Sequence, residues 1–287
     1  MANVLTSTTS VTNAILAKHI EQMIRERLMA TLVMPMLVTQ GDLRNKRSKT
    51  WSTTQWGEVV AAGVNETTSL EAQEMTLGKA DITVGEVGAV LEPTDLSVET
   101  SGITPEEYAD RGAKAIRQKM ESDLCGLFTG VTQSVGTTNT ELSLDTLIKA
   151  IETLETADDE GPYFGVLAPR QVGAYRRAIA GASGSQASIY ATGLVDPRIK
   201  AIPGFVGDFL GVPLFRSTHV PKANANVDFV GCFFSVEAFG MATLRDVRVE
   251  AERNAKARST AMVATSVYGV GEIEEARAVK IISKVAA

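Results

Sequence analysis

The sequence predicts an α+β protein that carries an extended arm, and three observations predict it. Between Trp56 and Tyr108 there is no aromatic residue, and the stretch reads as short alternating segments broken by glycines. Thr104-Pro105-Glu106-Glu107 then opens a long helical pattern. From about residue 214 onward the chain is mostly strand, with charged side chains interspersed among apolar ones. An extended stretch poor in large side chains cannot bury itself well, so it belongs to an arm more than to a core.

Taken in order, residues 6–12 have the Ser/Thr-rich composition of a solvated tail. Ile15, Ile20, Met23, Ile24 and Leu28 recur at spacings near three and four, which predicts a helix over 15–32 that ends before Pro35. His19 lies on or beside its apolar face. From 50 to 98 the helical period disappears. Met75 and Leu77, Ile82 and Val84, and Val87, Ala89 and Leu91 alternate as strands do, with bends at Gly63, Gly78, Gly85 and Gly88. A hairpin of about 20 residues per side would reach roughly 65 Å, against a radius of gyration of about 19 Å for a compact chain of this length. Such an arm would protrude and need a neighbour.

Thr104 can cap the long helix, Pro105 suits its first position and Glu107 completes a capping box. Tyr108, Gly112, Ile116, Met120, Leu124 and Leu127 form one stripe at three- and four-residue steps. The helix runs to about Phe128, roughly 38 Å, and serves as a strut. A Gly/Thr/Asn connector over 130–140 leads to a helix over 144–156, a short buried strand over 164–168 and a helix from Pro169 through Ile179. Residues 181–185 form a loop, and the Gly/Pro-rich segment 201–213 approaches a strand at 214–217. Further strands follow at 227–234, 244–252, 259–268 and 277–283, carrying Arg245, Asp246, Arg248, Glu250, Glu252 and Arg253. There is no internal repeat.

With 287 residues, 44% of them hydrophobic, the chain can bury a substantial core. Its net charge of -6 supplies no global basic field, so any nucleic-acid contact must be local. Cys125 and Cys232 sit among apolar neighbours, as free thiols do in a reducing compartment. The N-terminus lacks the pattern of a signal peptide, and the uncharged run 29–41 is too short to span a bilayer. These features predict a cytosolic product with no membrane partner.

Catalytic patterns fail one after another. His19 and His219 are the only histidines, and they lack metal-ligand spacing. Gly78-Lys79-Ala80 lacks the glycine of a phosphate loop, and Gly269-Val270-Gly271 meets Glu274 where a dinucleotide fingerprint needs glycine. Gly181-Ala182-Ser183-Gly184 ends on Ser185 and is no nucleophile elbow. Asp158, Asp159 and Glu160 read as a solvated turn without the calcium-loop pattern. Asn65-Glu66-Thr67 fits a glycosylation sequon that matters only to a secreted chain. Arg44, Lys46, Arg47 and Lys49 form the one basic concentration, which could touch a phosphate backbone, meet an acidic neighbouring subunit or stay solvated. No catalytic, cofactor-binding or metal-binding residue is predicted, and no cofactor.

The order of elements, with the segments VGEVGAVLEPTDLSVETSGITPEEYADRGAKAIRQKMESDL (84–124) and FLGVPLFRSTHVP (209–221), resembles the major capsid protein of tailed bacteriophages over nearly the whole chain. The resemblance rests on architectural order and loose segments, not on an invariant motif. It implies a Hong Kong 97-like capsid fold: an N-terminal arm over 1–50, an extended E-loop hairpin over 51–100 with its extended part at 57–98, and a P-domain spine helix over 101–142. An A-domain over 143–240 would follow, and 241–287 would supply a P-domain strand and the return to the A-domain.

The resemblance further implies a structural, non-enzymatic subunit that self-assembles through hexamers and pentamers into an icosahedral shell. That shell would enclose double-stranded DNA without sequence-specific recognition. Its partners would be itself, a portal protein and a separate scaffolding or decoration protein, and its place the virion capsid after assembly in the host cytoplasm. With about 40 residues before the loop, a fused scaffolding segment is not expected, and no isopeptide partner is assigned to Lys79. Glu71, Glu74, Lys79 and Asp81 on the loop, and Arg245, Arg248, Glu250, Glu252 and Arg253 on the late strands, are the expected intersubunit contacts. Two other readings stand beside this one: a nanocompartment shell of the same fold, and an α/β enzyme using Asp158, Asp159 or His219.

Overall fold

The structure, a computed structural model, describes residues 32–57, 61, 74–75, 77–101, 105–157, 161–181 and 196–285. The expected N-terminal helix over 15–31, most of the loop tip, the Thr104 cap, Asp158 to Glu160 and the loop after Gly181 lie outside the described residues. In chain order the strands and helices are β1 (Thr39–Asp42), β2 (Thr50–Trp56), β3 (Leu77–Thr83), β4 (Gly85–Leu91), α1 (Asp95–Ser101) and α2 (Pro105–Gly126). Then come β5 (Ser134–Val135), α3 (Leu144–Thr156), β6 (Tyr163–Leu167), α4 (Pro169–Gly181) and α5 (Pro197–Lys200). The remainder is strand: β7 (Phe205–Phe209), β8 (Val212–Arg216), β9 (Lys222–Ala223), β10 (Asp228–Ser235), β11 (Phe239–Asn254), β12 (Ser259–Glu272) and β13 (Ala278–Lys284).

The apolar run in β10 makes it a strand buried on both faces, the second strand type that hydrophobic patterning allows. It lies inside a seven-stranded sheet of order β5-β13-β10-β6-β8-β7, with β9 also paired to β10. One face, through Val230, Cys232 and Phe234, joins the core that receives Ile116, Met120 and Leu124 of α2. Phe128, Phe234 and Phe239 form a tilted aromatic cluster there, with ring centroids 5.2–6.0 Å apart. The other face packs Phe233 and Ile281 against Leu147 and Leu154 of α3 and Val172 and Tyr175 of α4.

Three polar side chains help to hold this half together. Ser143 caps α3 by accepting the Thr146 N–H at 3.2 Å. Buried Gln171 accepts the Ala168 N–H at 2.9 Å and donates to the Ser283 hydroxyl at 2.9 Å, pinning α4 to the sheet. The Tyr175 hydroxyl donates to the Asp208 carbonyl at 2.8 Å, and burial pushes its phenol up to about 12.

A second sheet, β1-β11-β12-β4, is built mainly on the hairpin of β11 and β12. Along β11 the base at Phe239 is buried and the far end at Asn254 is exposed, while Ser259, which faces Asn254 on β12, is buried. The expected strand over 244–252 is thus the middle of a longer one. Val87 of β4 packs against the core that also holds Val249, Met262 and Ala264, beside α2.

The expectation of one extended arm over 57–98 requires correction. Residues 85–91 are strand β4, paired antiparallel to β12 from Gly85↔Tyr268 to Leu91↔Met262, and 95–101 are helix α1. Alternation of Val87, Ala89 and Leu91 came from a sheet strand, not from a free arm. Nor does the stretch lack a core: Ile82 and Val84 are buried with Leu43 and Ala242.

Candidate intersubunit surface

Against the second sheet packs the narrower hairpin of β2 and β3, paired from Thr50↔Thr83 to Trp56↔Leu77. Its base sits on a strip of glycines. A Cβ at Gly41 would lie 2.3 Å from the Trp51 ring, one at Gly240 2.8 Å from Ile82 and from Trp51, and one at Gly269 2.3 Å from the Thr83 carbonyl oxygen. Side chains there would lift the hairpin off the sheet. The Val84 N–H donates to the Lys49 carbonyl at 2.9 Å, and Gln55 donates to the Ile273 carbonyl, closing the attachment.

Toward its far end the hairpin offers apolar groups to solvent: Leu77 is 58% exposed and Met75 38%. Asp81 accepts from the Ser52 hydroxyl at 2.5 Å and pairs with Lys79 at 2.9 Å, and these two contacts hold its carboxyl below the usual range. Glu74 is exposed, and Glu71 lies outside the described residues.

On β4, a strand whose partner among the described residues is β12 alone, Val90 is 63% exposed, and Leu96 on α1 is 69% exposed. The sheet carries ion pairs beside them. Arg253 grips Asp95 with two bonds of 2.5 Å, which hold the Asp95 carboxyl below its usual range. Arg245 pairs with Glu86, Arg248 with Glu250 at 2.7 Å, and Arg44 with Asp246 at 2.8 Å.

Four of the predicted late-strand residues, Arg245, Arg248, Glu250 and Arg253, therefore have partners within their own chain, while Glu252 is exposed. Exposed pairs of this kind contribute little singly. Lys46, Arg47 and Lys49 are exposed on the turn between β1 and β2. Sequence reasoning missed Trp51 as the anchor and Leu77, Val90 and Leu96 as exposed apolar groups. For Trp51 a signal existed, since an indole within a polar Ser/Thr strand needs a surface to cover it.

The described residues offer reactive chemistry little support. No cluster of three or more His, Cys, Asp or Glu side chains able to hold a metal ion occurs among them, and none of their helices is long and apolar enough to cross a membrane. Cys125 and Cys232 are buried free thiols, pushed upward by burial. His219 is half-buried, and burial and the nearby Arg117 lower it. His19 and the three acids at 158–160 fall outside the described residues.

Residues 13–185 match the sequence pattern described as the Phage capsid family, which is more than half of the chain. No curated protein sequence matches it. Solved capsid structures share its fold at low identity. The capsid of Ralstonia phage GP4 superposes with a TM-score of 0.68 at 11% identity, covering 88% of each chain. A Mycobacterium phage Che8 structure gives 0.66 at 16% identity, over 88% of this chain and 91% of the other. The acid-stable capsid of Helicobacter pylori bacteriophage KHP30 gives 0.63 at 13% identity, over 86% and 87%. The fold is Hong Kong 97-like.

Proposed function

The chain belongs to the Phage capsid family and is a major capsid protein, a subunit of an icosahedral shell, and on that premise we propose how its copies meet. The β2–β3 hairpin and its tip are the E-loop, and they lie across the second sheet of a neighbouring copy. That sheet, with α2 as the spine helix, is the P-domain, and the seven-stranded half with α3 and α4 is the A-domain. The role is mechanical and not enzymatic. Hexamers and pentamers assemble in the host cytoplasm, with a portal protein and a separate scaffolding or decoration protein, and the shell encloses double-stranded DNA.

The observation that carries this reading is the set of exposed large apolar side chains on this half, Met75 and Leu77 by the hairpin and Val90 and Leu96 at the sheet edge, four of the seven such side chains among the described residues. A persistent contact between copies needs roughly 1,000 Å² of buried surface or more, and a hairpin laid on the open sheet of a neighbour can reach that area. Repeated head to tail around a closed symmetry, such a contact makes a shell. Glu74, Lys79, Glu252, Lys46, Arg47 and Lys49 would sit at the polar rim of these contacts or, for the basic turn, against DNA. Arg245, Arg248, Glu250 and Arg253 would join them only by exchanging partners between copies.

The test is deletion of residues 58–75, replaced by a short glycine linker that preserves the β2–β3 pairing and the buried Ile82. Electron microscopy and sedimentation should show a folded subunit that forms no particles. Normal particles from this deletion would overturn the reading. Nuclease-protected DNA in the intact particles checks the cargo separately.

A further inference from the structure

Along α2, Lys114, Arg117 and Glu121 stand at spacings of three and four, so they share one face of the helix. Opposite them lies the turn after β8, where Arg216, Thr218 and His219 follow one another. The two walls enclose a cleft of about 500 Å³ that opens to solvent. Its far wall is set by Gly204, whose φ of +84° lets its carbonyl accept the Arg216 N–H at 2.8 Å.

Glu121 is committed to the floor. Its carboxylate accepts the Met34 N–H at 3.2 Å and is only 6% exposed. Among the described residues lining the cleft, Lys114, Arg117 and Arg216 stand against one buried carboxylate, in a chain whose net charge is -6. Lys114 and Arg216 have exposed ends, and His219 is half-buried at the rim.

We infer that this cleft binds a phosphate-type oxyanion. Lys114 and Arg216 offer ammonium and guanidinium donors from two walls, the Thr218 hydroxyl adds another, and Arg117 contributes its charge beside them. A carboxylate has two oxygens to meet them, whereas a phosphate group presents oxygens in several directions and matches the guanidinium fork. His219 answers to the same ligand. Burial and Arg117 disfavour its protonated form, and an anion placed between it, Lys114 and Arg216 favours that form. Among the described residues Glu121 is the one acidic group lining the cleft, and it is turned to the backbone of Met34.

The chemistry is shared by free phosphate and by the phosphodiester backbone of DNA. It does not depend on the shell reading, because a full-length subunit binds or fails to bind phosphate whether or not particles form. Equilibrium dialysis of the full-length chain against radiolabelled inorganic phosphate should show binding. Lys114→Gln with Arg216→Gln should weaken it at least about tenfold, since each removes a charge-assisted donor. Arg216→Lys, which keeps the charge, should retain most of it, and an unchanged melting temperature verifies that the exposed substitutions leave the fold intact.

Histidine-labelled NMR, with His219→Asn to assign the signal, should show the His219 titration moving upward on phosphate addition. Absence of phosphate binding, or equal binding by the double variant, would sink the proposal. If a short DNA duplex competes with phosphate through the same two residues, the ligand in the particle is the DNA backbone. If phosphate binds and duplex does not compete, the site takes the free anion.

Discussion

The two sheets of this molecule bury their side chains in opposite ways. The seven-stranded sheet has α2 and the second sheet's core on one face and α3 and α4 on the other, and its central strand β10 has seven of eight residues buried. The four-stranded sheet alternates, with β4 reading exposed, exposed, intermediate, exposed, intermediate along most of its length. A layer covered on both sides is complete within one chain, whereas a layer open on one side and at one edge presents a template for another. Subunit stability should therefore live in the first sheet and assembly in the second.

Breaking the first sheet should cost most. Phe233 is fully buried in the core shared with α3 and α4, so Phe233→Ala should lose about 3–5 kcal/mol of subunit stability. Chemical denaturation of unassembled subunit measures it. Val90→Ser on the open edge should change that stability by no more than about 0.5 kcal/mol, yet raise the protein concentration needed for particles. Equal effects of both substitutions on subunit stability would dissolve the distinction between the sheets.

The junction of the hairpin with the second sheet should come next. Gly269→Ala places a methyl 2.3 Å from the Thr83 carbonyl oxygen, a backbone atom that cannot rotate away. Overpacking of this kind costs about 1–3 kcal/mol. Hydrogen exchange should show β3 losing protection while β10 keeps it. Uniform loss in both would mean that the hairpin base is part of the main cooperative unit.

How much of this was legible in the sequence follows from the range of the interactions. The helix α2 was, because Ile116, Met120 and Leu124 repeat at helical spacing and all three are buried. So was α3, predicted over 144–156 from its pattern and found there. The role of β4 was not, since Val87 meets Ser266 and Glu86 meets Val267, partners nearly two hundred residues away. The same distance hid the ion pairs: Arg253 on β11 and Asp95 at the start of α1 look like unmatched charges until the fold brings them together. At the candidate surface, the charge pattern drew attention to β3 and β11 but not to exposed Leu77 and Val90, whose alternation resembles that of buried positions.

A smaller effect links the N-terminal edge of the described chain to pH. Burial raises the Glu121 carboxyl above its ordinary 4.5. A raised folded-state value means that the folded subunit holds the proton more tightly than the unfolded chain. The stability from this group is therefore fully present below 4.5 and is lost as pH rises through the higher folded value. Glu121→Gln keeps an oxygen for the Met34 N–H and removes the charge, so it should be at least as stable as the parent at neutral pH. Denaturation midpoints across this range check the sign, and a steeper loss of stability with rising pH in the variant would contradict it.

The smallest effect tests whether surface ion pairs matter to the open sheet at all. Arg253 holds the Asp95 carboxyl below its ordinary 3.8, so here the sign reverses: the contribution is present above that value and disappears as pH falls through the lower folded one. Because both groups are exposed, Arg253→Gln should leave the neutral-pH melting temperature nearly unchanged, and salt should erase what difference there is. The difference between parent and variant should also shrink as acid protonates Asp95. If the substitution instead blocks particle formation while the isolated subunit melts normally, Arg253 serves a neighbouring copy in the assembled shell, and the bond to Asp95 is the resting arrangement of the free subunit.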